Sequence, residues 1–166
     1  IMADERFLVT GALGCIGAWA VRNLLREEVP VTVFDLATEP KRLRLLLSDE
    51  ELAQVNFVAG DITDLDAFEK ALDGADITHV IHLAGLQVPF CKADPPLGAR
   101  VNVVGTVNVF EAVKRRQDRI EKVVYASSVA VFGTPEDYEQ GAVMQDNSEM
   151  IPHTHYGVYK QANEGT

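Results

Sequence analysis

Cysteine, basic charge and long apolar runs are all scarce in this chain, and each scarcity removes a class of function. Only two cysteines occur, Cys15 and Cys91, far apart and without CxxC spacing. They suit a reducing compartment and supply neither a disulfide framework nor a zinc site. Lysine and arginine number 15 against 25 aspartates and glutamates, a net charge of -10. Phosphate backbones are bound by cationic side chains that displace counterions, so nucleic acid and anionic membrane are both disfavoured as partners. No apolar run approaches the roughly 20 residues of a membrane span. The apolar run in IMADERFLVTGALG is too short for a signal peptide, and Ile1 ahead of Met2 reads as a start-site remnant. A soluble, cytoplasmic chain is the expectation.

What is present is ordinary globular material: 47% hydrophobic and 24% charged residues over 166, enough for one domain with a real core. Strand-like and helix-like runs alternate. RFLVT is a buried strand, followed by a glycine loop and a helix in which Ile16, Trp19, Ala20 and Leu24 recur at helical spacing. VTVFD follows, then a helix over residues 41–47, then NFVAGD, then a helix with Leu65, Phe68 and Leu72 on one face. ITHVIHLAG is the next strand, residues 96–116 a long helix, and KVVYASS a fifth strand. This order predicts an α/β fold with a parallel sheet covered on both faces, a three-layer αβα arrangement. The long helix is apolar around most of its circumference, with Val101, Val104, Asn108 and Ala112 on one side and Val103, Val107 and Phe110 on another. One side is expected on the sheet, the other against a second subunit or under the chain's own loops. Residues 133–153 are polar and read as a surface loop, a common carrier of specificity.

The stretch TGALGCIG sits where the first strand gives way to the first helix. Gly11, Gly14 and Gly17 let the backbone turn sharply, approach a pyrophosphate and pack helix against strand. The helix N-terminus offers unpaired N–H groups to the anion. A Walker-type phosphate loop needs Lys-Ser/Thr after its last glycine, and Ala18-Trp19 excludes it. Asp35 closes the second strand 18 residues beyond Gly17. A carboxylate there can accept from both adenosine ribose hydroxyls and repels a 2′-phosphate, favouring NAD over NADP, although Lys41 and Arg42 nearby soften that preference. Asp61-Ile62 ends the third strand, where the carboxylate can take an adenine amino group or simply cap a helix. Leu83, Ala84 and Gly85 end the fourth, where small residues allow close approach to a cofactor.

In THYGVYK, Tyr156 and Lys160 stand four residues apart and share a helix face. A free phenol titrates near 10, and a neighbouring ammonium favours its ionised form. The pair is an acid/base couple or two side chains that happen to share a face. Ser127 and Ser128 end the fifth strand, on the edge where α/β ligands bind. There a hydroxyl can hold a substrate oxygen or merely satisfy the strand-end backbone.

Taken in order, TGALGCIG, the Asp35 strand end, GDITD, HLAG, NVVGTVNVFEA, ASSVAVFG and YGVYK resemble the extended short-chain dehydrogenase/reductases, the NAD-dependent epimerase/dehydratase family, over essentially the whole chain. The resemblance implies a Rossmann-like doubly wound sheet and a catalytic trio of Ser128, Tyr156 and Lys160. It implies cofactor contacts from Gly11, Leu13, Gly14, Cys15, Ile16, Gly17, Asp35, Asp61, Ile62, Leu83, Ala84, Gly85, Asn102 and Ser127, together with Tyr156 and Lys160. The family's VYG stands here as Val131-Phe132-Gly133, and its PYGxSK as His155-Tyr156-Gly157-Val158-Tyr159-Lys160. Where family dehydratases carry Asp-Glu after the catalytic hydroxyl, this chain has Val129-Ala130, which argues against dehydration. Family members continue well beyond this length, so residues 1–166 are expected to be one NAD(P)-binding domain without the substrate-binding region.

Other polar residues carry less. His153 and His155 form an HxH without a third ligand at metal spacing, so no metal is expected. His79 and His82 read as packed strand residues, Trp19 as core, and Cys91 as a loop residue in VPFCKAD that could line a pocket. The implied activity is hydride transfer at a secondary alcohol of a sugar or nucleotide sugar, by an epimerase. A dehydrogenase of a sugar acid or hydroxy acid, and an NAD(P)-binding sensor without turnover, are the alternatives. A homodimer with a small-molecule substrate is the expected assembly.

Overall fold

A computed structural model describes residues 5–166, so the reading of Ile1 ahead of Met2 lies outside the described residues. The chain divides into two compact units, one running to Ala84 and resuming over Asn108–Ala126, the other made of Gly85–Val107 and Ser127–Thr166. Among the described residues no helix is long and apolar enough to cross a membrane.

The first unit holds five strands: β1 (Phe7–Thr10), β2 (Val31–Asp35), β3 (Asn56–Ala59), β4 (His79–His82) and β5 (Lys122–Tyr125). All pairings are parallel and the order is β3-β2-β1-β4-β5. The chain's order reverses between β1 and β4, the switch point at which such sheets bind ligands beyond their carboxyl ends. β1 and β2 are buried nearly end to end, as strands covered on both faces must be. The Rossmann-like doubly wound sheet expected from the sequence is the observed fold. Helices α1 (Cys15–Arg26), α2 (Asp49–Leu52) and α3 (Leu65–Gly74) follow β1, β2 and β3.

Asp64 starts α3 by accepting from the Ala67 N–H at 3.0 Å, and the helix then buries Phe68, Ala71 and Leu72 at helical spacing. Phe68 meets Phe34 of β2 edge-on, ring centres 5.3 Å apart. The Arg116 and Arg119 guanidinium groups reach Asp73 at 2.6 and 2.7 Å. The Arg116 hydrogen bond, more than any other influence, holds the Asp73 carboxyl well below the usual carboxylate range.

The second unit contains α4 (Val88–Ala93), α5 (Pro95–Ala99), a π-helical turn at Arg100–Val104, and α7 (His155–Glu164); α6 (Gly105–Lys114) continues from the π turn, and its residues from 108 onward belong to the first unit. Thr154 caps α7, its hydroxyl accepting from the Gly157 N–H at 3.0 Å.

Several expectations are corrected. Residues 41–47 form a three-residue 3-10 turn, Leu43–Leu45, instead of a helix. Ser48 and Glu51 make a reciprocal capping box that opens α2 at Asp49 and so ends the turn before it. Residues 96–116 are not one regular helix. The Asn102 carbonyl is taken by the Thr106 hydroxyl and the Asn163 amide, each at 2.7 Å, and the ladder widens to a π turn around it. Cys91 is not in a loop: VPFCKA is α4, and the thiol is fully buried. Trp19 is not core. It is 48% exposed with the Arg22 guanidinium 4.9 Å above its ring, because Gly17, Ala18 and Val21 form the face that α1 buries. β4 and β5 end at His82 and Tyr125, short of the strand ends expected from the sequence.

Replacing Phe68 by alanine empties a fully buried ring site and is expected to destabilise the protein by ~3–5 kcal/mol. A shift in urea unfolding equivalent to less than about 1 kcal/mol would contradict this account of the core.

Candidate active site

In the first unit the glycine loop is set by backbone contacts that leave no room for side chains. Gly11 has φ +66°, and a Cβ there would lie 2.7 Å from the Ala84 nitrogen. A Cβ on Gly17 would lie 2.5 Å from Ala12 Cα. Thr10 fastens the same region from below: its hydroxyl accepts from the Leu83 and Ala84 N–H groups at 3.2 and 3.1 Å and meets His82 Nδ1 at 2.7 Å. Gly14, the residue that opens α1, provides no side-chain cap, and the first turn carries no acidic residue. The helix thus presents a short-backbone cradle with a positive dipole end, and this arrangement fits a pyrophosphate. Cys15 and Ile16 are exposed in that first turn, whereas Leu13 is buried beneath it.

Asp35 stands at the end of β2. Its Oδ2 accepts from the Leu13 N–H and its Oδ1 from the Ala37 N–H, both at 3.0 Å. One lone pair on each oxygen is engaged by backbone, and the others remain for a ribose. Asp61 is exposed and accepts from the Thr63 N–H at 2.8 Å, while Ile62 is buried and its carbonyl accepts from the Asn108 amide. Asp61 therefore closes a local Asx turn, and the cap of α3 falls to Asp64.

The second unit gathers the three candidate reacting groups. Ser128 precedes a single 3-10 turn, Val129–Val131, and its Oγ accepts from the Ala130 N–H at 3.2 Å. Gly157, beside Tyr156, is buried, and a Cβ there would run into the Ala130 carbonyl oxygen. The first turn of α7 is thereby held backbone to backbone against the turn that Ser128 opens. One turn further along α7 the Lys160 ammonium lies 5.7 Å from the centre of the Tyr156 ring. Lys160 is 6% exposed, and burial pushes its pKa down to about 8. An open cavity of about 590 Å³ is lined by Ser127, Ser128, Phe132, Met144, Asp146 and Glu164 among others. Ser127 donates to Glu164 at its rim.

Asn102 is 1% exposed. Its Oδ1 accepts from the Leu86 N–H at 2.7 Å and its Nδ2 donates to the Leu86 carbonyl at 2.8 Å. The same Nδ2 reaches Cys91 Sγ at 3.4 Å, and burial raises the thiol pKa. A Cβ on Gly85 would lie 3.3 Å from Asn102 Oδ1 and 4.0 Å from Lys160 Nζ, so the amine sits beside this pair. Asn163, one turn beyond Lys160, returns to the Asn102 carbonyl. Sequence reading missed Asn163 and the Leu86 clamp. The three-residue step from Lys160 to Asn163 was the available signal.

His82 and His79 are buried strand residues bonded to Thr10 and Thr78, as expected. His153 pairs with Asp137 at 2.9 Å, while His155 stacks on Tyr159, whose hydroxyl donates to the Pro95 carbonyl at 2.9 Å.

Two outcomes follow from this packing. Alanine at Gly157 gains up to ~1 kcal/mol of helix propensity, yet the collision with Ala130 should make Gly157→Ala less stable than the parent; a rise in melting temperature would refute the contact. Lys160 binds its proton less readily when folded, with a pKa of about 8 against an ordinary value of 10.5, so between those pH values the unfolded chain carries more protons. The stability of the parent relative to Lys160→Met should therefore rise with pH across about 8 to 10.5, by less than ~1.4 kcal/mol per unit. Denaturant titrations at pH 7 to 10 that run parallel for both proteins would sink the assignment.

The chain is 36% identical over 140 residues to UDP-glucose 4-epimerase 3 of Oryza sativa subsp. japonica, covering 81% of this chain and 37% of that protein. It is 33% identical over 164 residues to D-erythronate dehydrogenase of Cupriavidus necator, covering 95% and 48%. The solved UDP-glucose 4-epimerase of Thermus thermophilus in complex with NAD superposes with a TM-score of 0.81 at 32% identity, covering 97% of this chain and 49% of that one. The chain thus spans about half the length of these relatives or less. The model of the NAD dependent epimerase/dehydratase family matches residues 7–165, and the chain belongs to that family.

Proposed function

We propose that this chain carries the NAD-binding and reacting groups of an enzyme that oxidises a secondary alcohol of a sugar or nucleotide sugar, with epimerisation as the outcome. The observation that carries the reading is the buried Lys160 ammonium beside the Tyr156 ring, on the helix whose first turn is fixed against the Ser128 turn. Bound NAD supplies the hydride acceptor. The Gly11–Gly14–Gly17 loop holds the pyrophosphate, and the free lone pairs of Asp35 take the adenosine ribose hydroxyls. That carboxylate also supports NAD over NADP.

Tyr156 Oη takes the hydroxyl proton of the substrate as its alcohol carbon is oxidised, and returns a proton when the carbonyl is reduced. Ser128 Oγ donates to the reacting oxygen and holds it against the phenol. Its acceptance of the Ala130 N–H leaves the hydroxyl proton for that task. Protonated Lys160 places a positive charge beside the ring whose oxygen must carry negative charge. Burial of this amine excludes water that would otherwise screen that charge. Val129 and Ala130 follow Ser128 in the 3-10 turn, where neither can act as acid or base, so elimination of water is not part of the reading.

The epimerase outcome is supported by the likeness to UDP-glucose 4-epimerases. The likeness to D-erythronate dehydrogenase over 95% of this chain favours a second reading, net oxidation of a sugar acid. The two are separated by product. With the intact enzyme, an isomer formed without net NADH supports epimerisation, and stoichiometric NADH supports dehydrogenation.

Tyr156→Phe is expected to lower kcat by roughly 10²–10⁴-fold while NAD affinity by calorimetry stays within about threefold of the parent. Turnover that survives the substitution would remove Tyr156 from the mechanism.

A further inference from the structure

Leu13 occupies the middle of the glycine loop, and both of its backbone groups are held by charged side chains. Its N–H donates to Asp35 Oδ2 at 3.0 Å. Its carbonyl accepts from Arg42 Nη1 at 3.1 Å. The Leu13 side chain is buried in the core with Val9, Ala18, Val33 and Leu43, so the residue is pinned at three points. Arg42 immediately precedes the Leu43–Leu45 turn, and Leu43 is fully buried beside Leu13 in the same core. The position of the arginine backbone is therefore set by packing that does not involve the guanidinium.

The sequence suggested a different part for Arg42, as a charge near the adenosine. The hydrogen bond gives it a more definite one. We infer that Arg42 is a positioning residue for the dinucleotide loop, fixing the Leu13 peptide so that the following residues Gly14 to Gly17 present their N–H groups to the pyrophosphate in one arrangement. This rests on the reading of that loop as the NAD site.

The physical case is one of preorganisation. A loop of glycines has the largest conformational freedom to lose on binding, and ordering it beforehand reduces what the ligand must supply. Asp35 alone fixes only the amide side of Leu13. The peptide that leads onward to Gly14 donates its N–H to the Gly11 carbonyl at 3.0 Å, and Arg42 fixes its other end, the Leu13 carbonyl, so that loss of the guanidinium leaves this peptide with one hold instead of two. A hydrogen bond from a charged donor is stronger than one between neutral groups, and a guanidinium has four further N–H donors for nearby anionic or hydroxyl groups.

The test compares Arg42→Met, which keeps much of the apolar stem, and Arg42→Lys, which keeps a cationic donor. Hydrogen exchange without ligand reads the loop directly: amides of residues 11–17 should exchange at least about fivefold faster in Arg42→Met, while those of β1 and β4 stay unchanged. Calorimetric titration should show the Kd for NAD rising about five- to twentyfold in Arg42→Met and recovering at least partly in Arg42→Lys, with kcat at saturating NAD unchanged. Loop exchange and Kd both equal to the parent in Arg42→Met would overturn the proposal. So would a fall in kcat at constant Kd. Should Arg42→Met fail to fold, Arg42→Gln is measured in its place and read the same way. A parent protein that shows no NAD binding would instead defeat the functional reading, and the exchange measurement would still decide whether Arg42 orders the loop.

Discussion

The tightest constraint in the first unit is the approach of two backbones: Gly11 against Leu83 and Ala84. At φ +66°, with a Cβ position 2.7 Å from a neighbouring nitrogen, residue 11 can be nothing but glycine without moving β1 away from the end of β4. That contact lies at the switch point of the sheet. It allows the chain to leave β1, turn at once into α1 and aim the helix N-terminus along the carboxyl edge. Thr10 strengthens it by accepting two N–H groups from the far side. Asp35 then reaches the loop from β2. Parallel register aligns Thr10 with Phe34 and with His82, which is why the ends of three strands contribute to one loop.

The second unit depends on a comparable approach, between Gly157 and the Ala130 carbonyl. Here a missing Cβ lets α7 begin directly against the Ser128 turn, so that the tyrosine, serine and lysine are positioned by backbone packing instead of by long flexible side chains. The amine is buried in the same unit as two asparagines that hold backbone. Asn102 clamps Leu86, and Asn163 holds the carbonyl that the π turn releases. The irregular turn is thus an outcome of side chains entering the helical ladder. It leaves the Asn102 carbonyl free to accept from Thr106 and Asn163, in the unit that also buries a cation whose charge burial disfavours.

The sequence determined the order of elements. The apolar runs RFLVT, VTVFD and ITHVIHLAG read as strands, and the glycines at 11, 14 and 17, placed between the first strand and the first helix, read as a strand-to-helix turn. The four-residue step from Tyr156 to Lys160 put both on one helix face, because helical geometry is local. What it misjudged was decided at a distance. Trp19 matched an apolar stripe, yet the buried face of α1 follows Gly17 and Ala18, which only the closeness of the loop requires. Residues 41–47 had helical apolar spacing, but the Ser48–Glu51 box ended the turn early.

The hydrogen bonds that Cys91 and Asn102 make to the Leu86 carbonyl, at 3.3 and 2.8 Å, could not be read from any pattern, since Leu86 is neither periodic nor charged. The same holds for Arg42: in sequence it was a charge near an adenosine, and tertiary structure made it the donor to a loop carbonyl. Local rules fix which residues can share a face or a turn. Hydrogen bonds between residues tens of positions apart depend on packing that no local pattern encodes, and those bonds chose which polar side chains support the site.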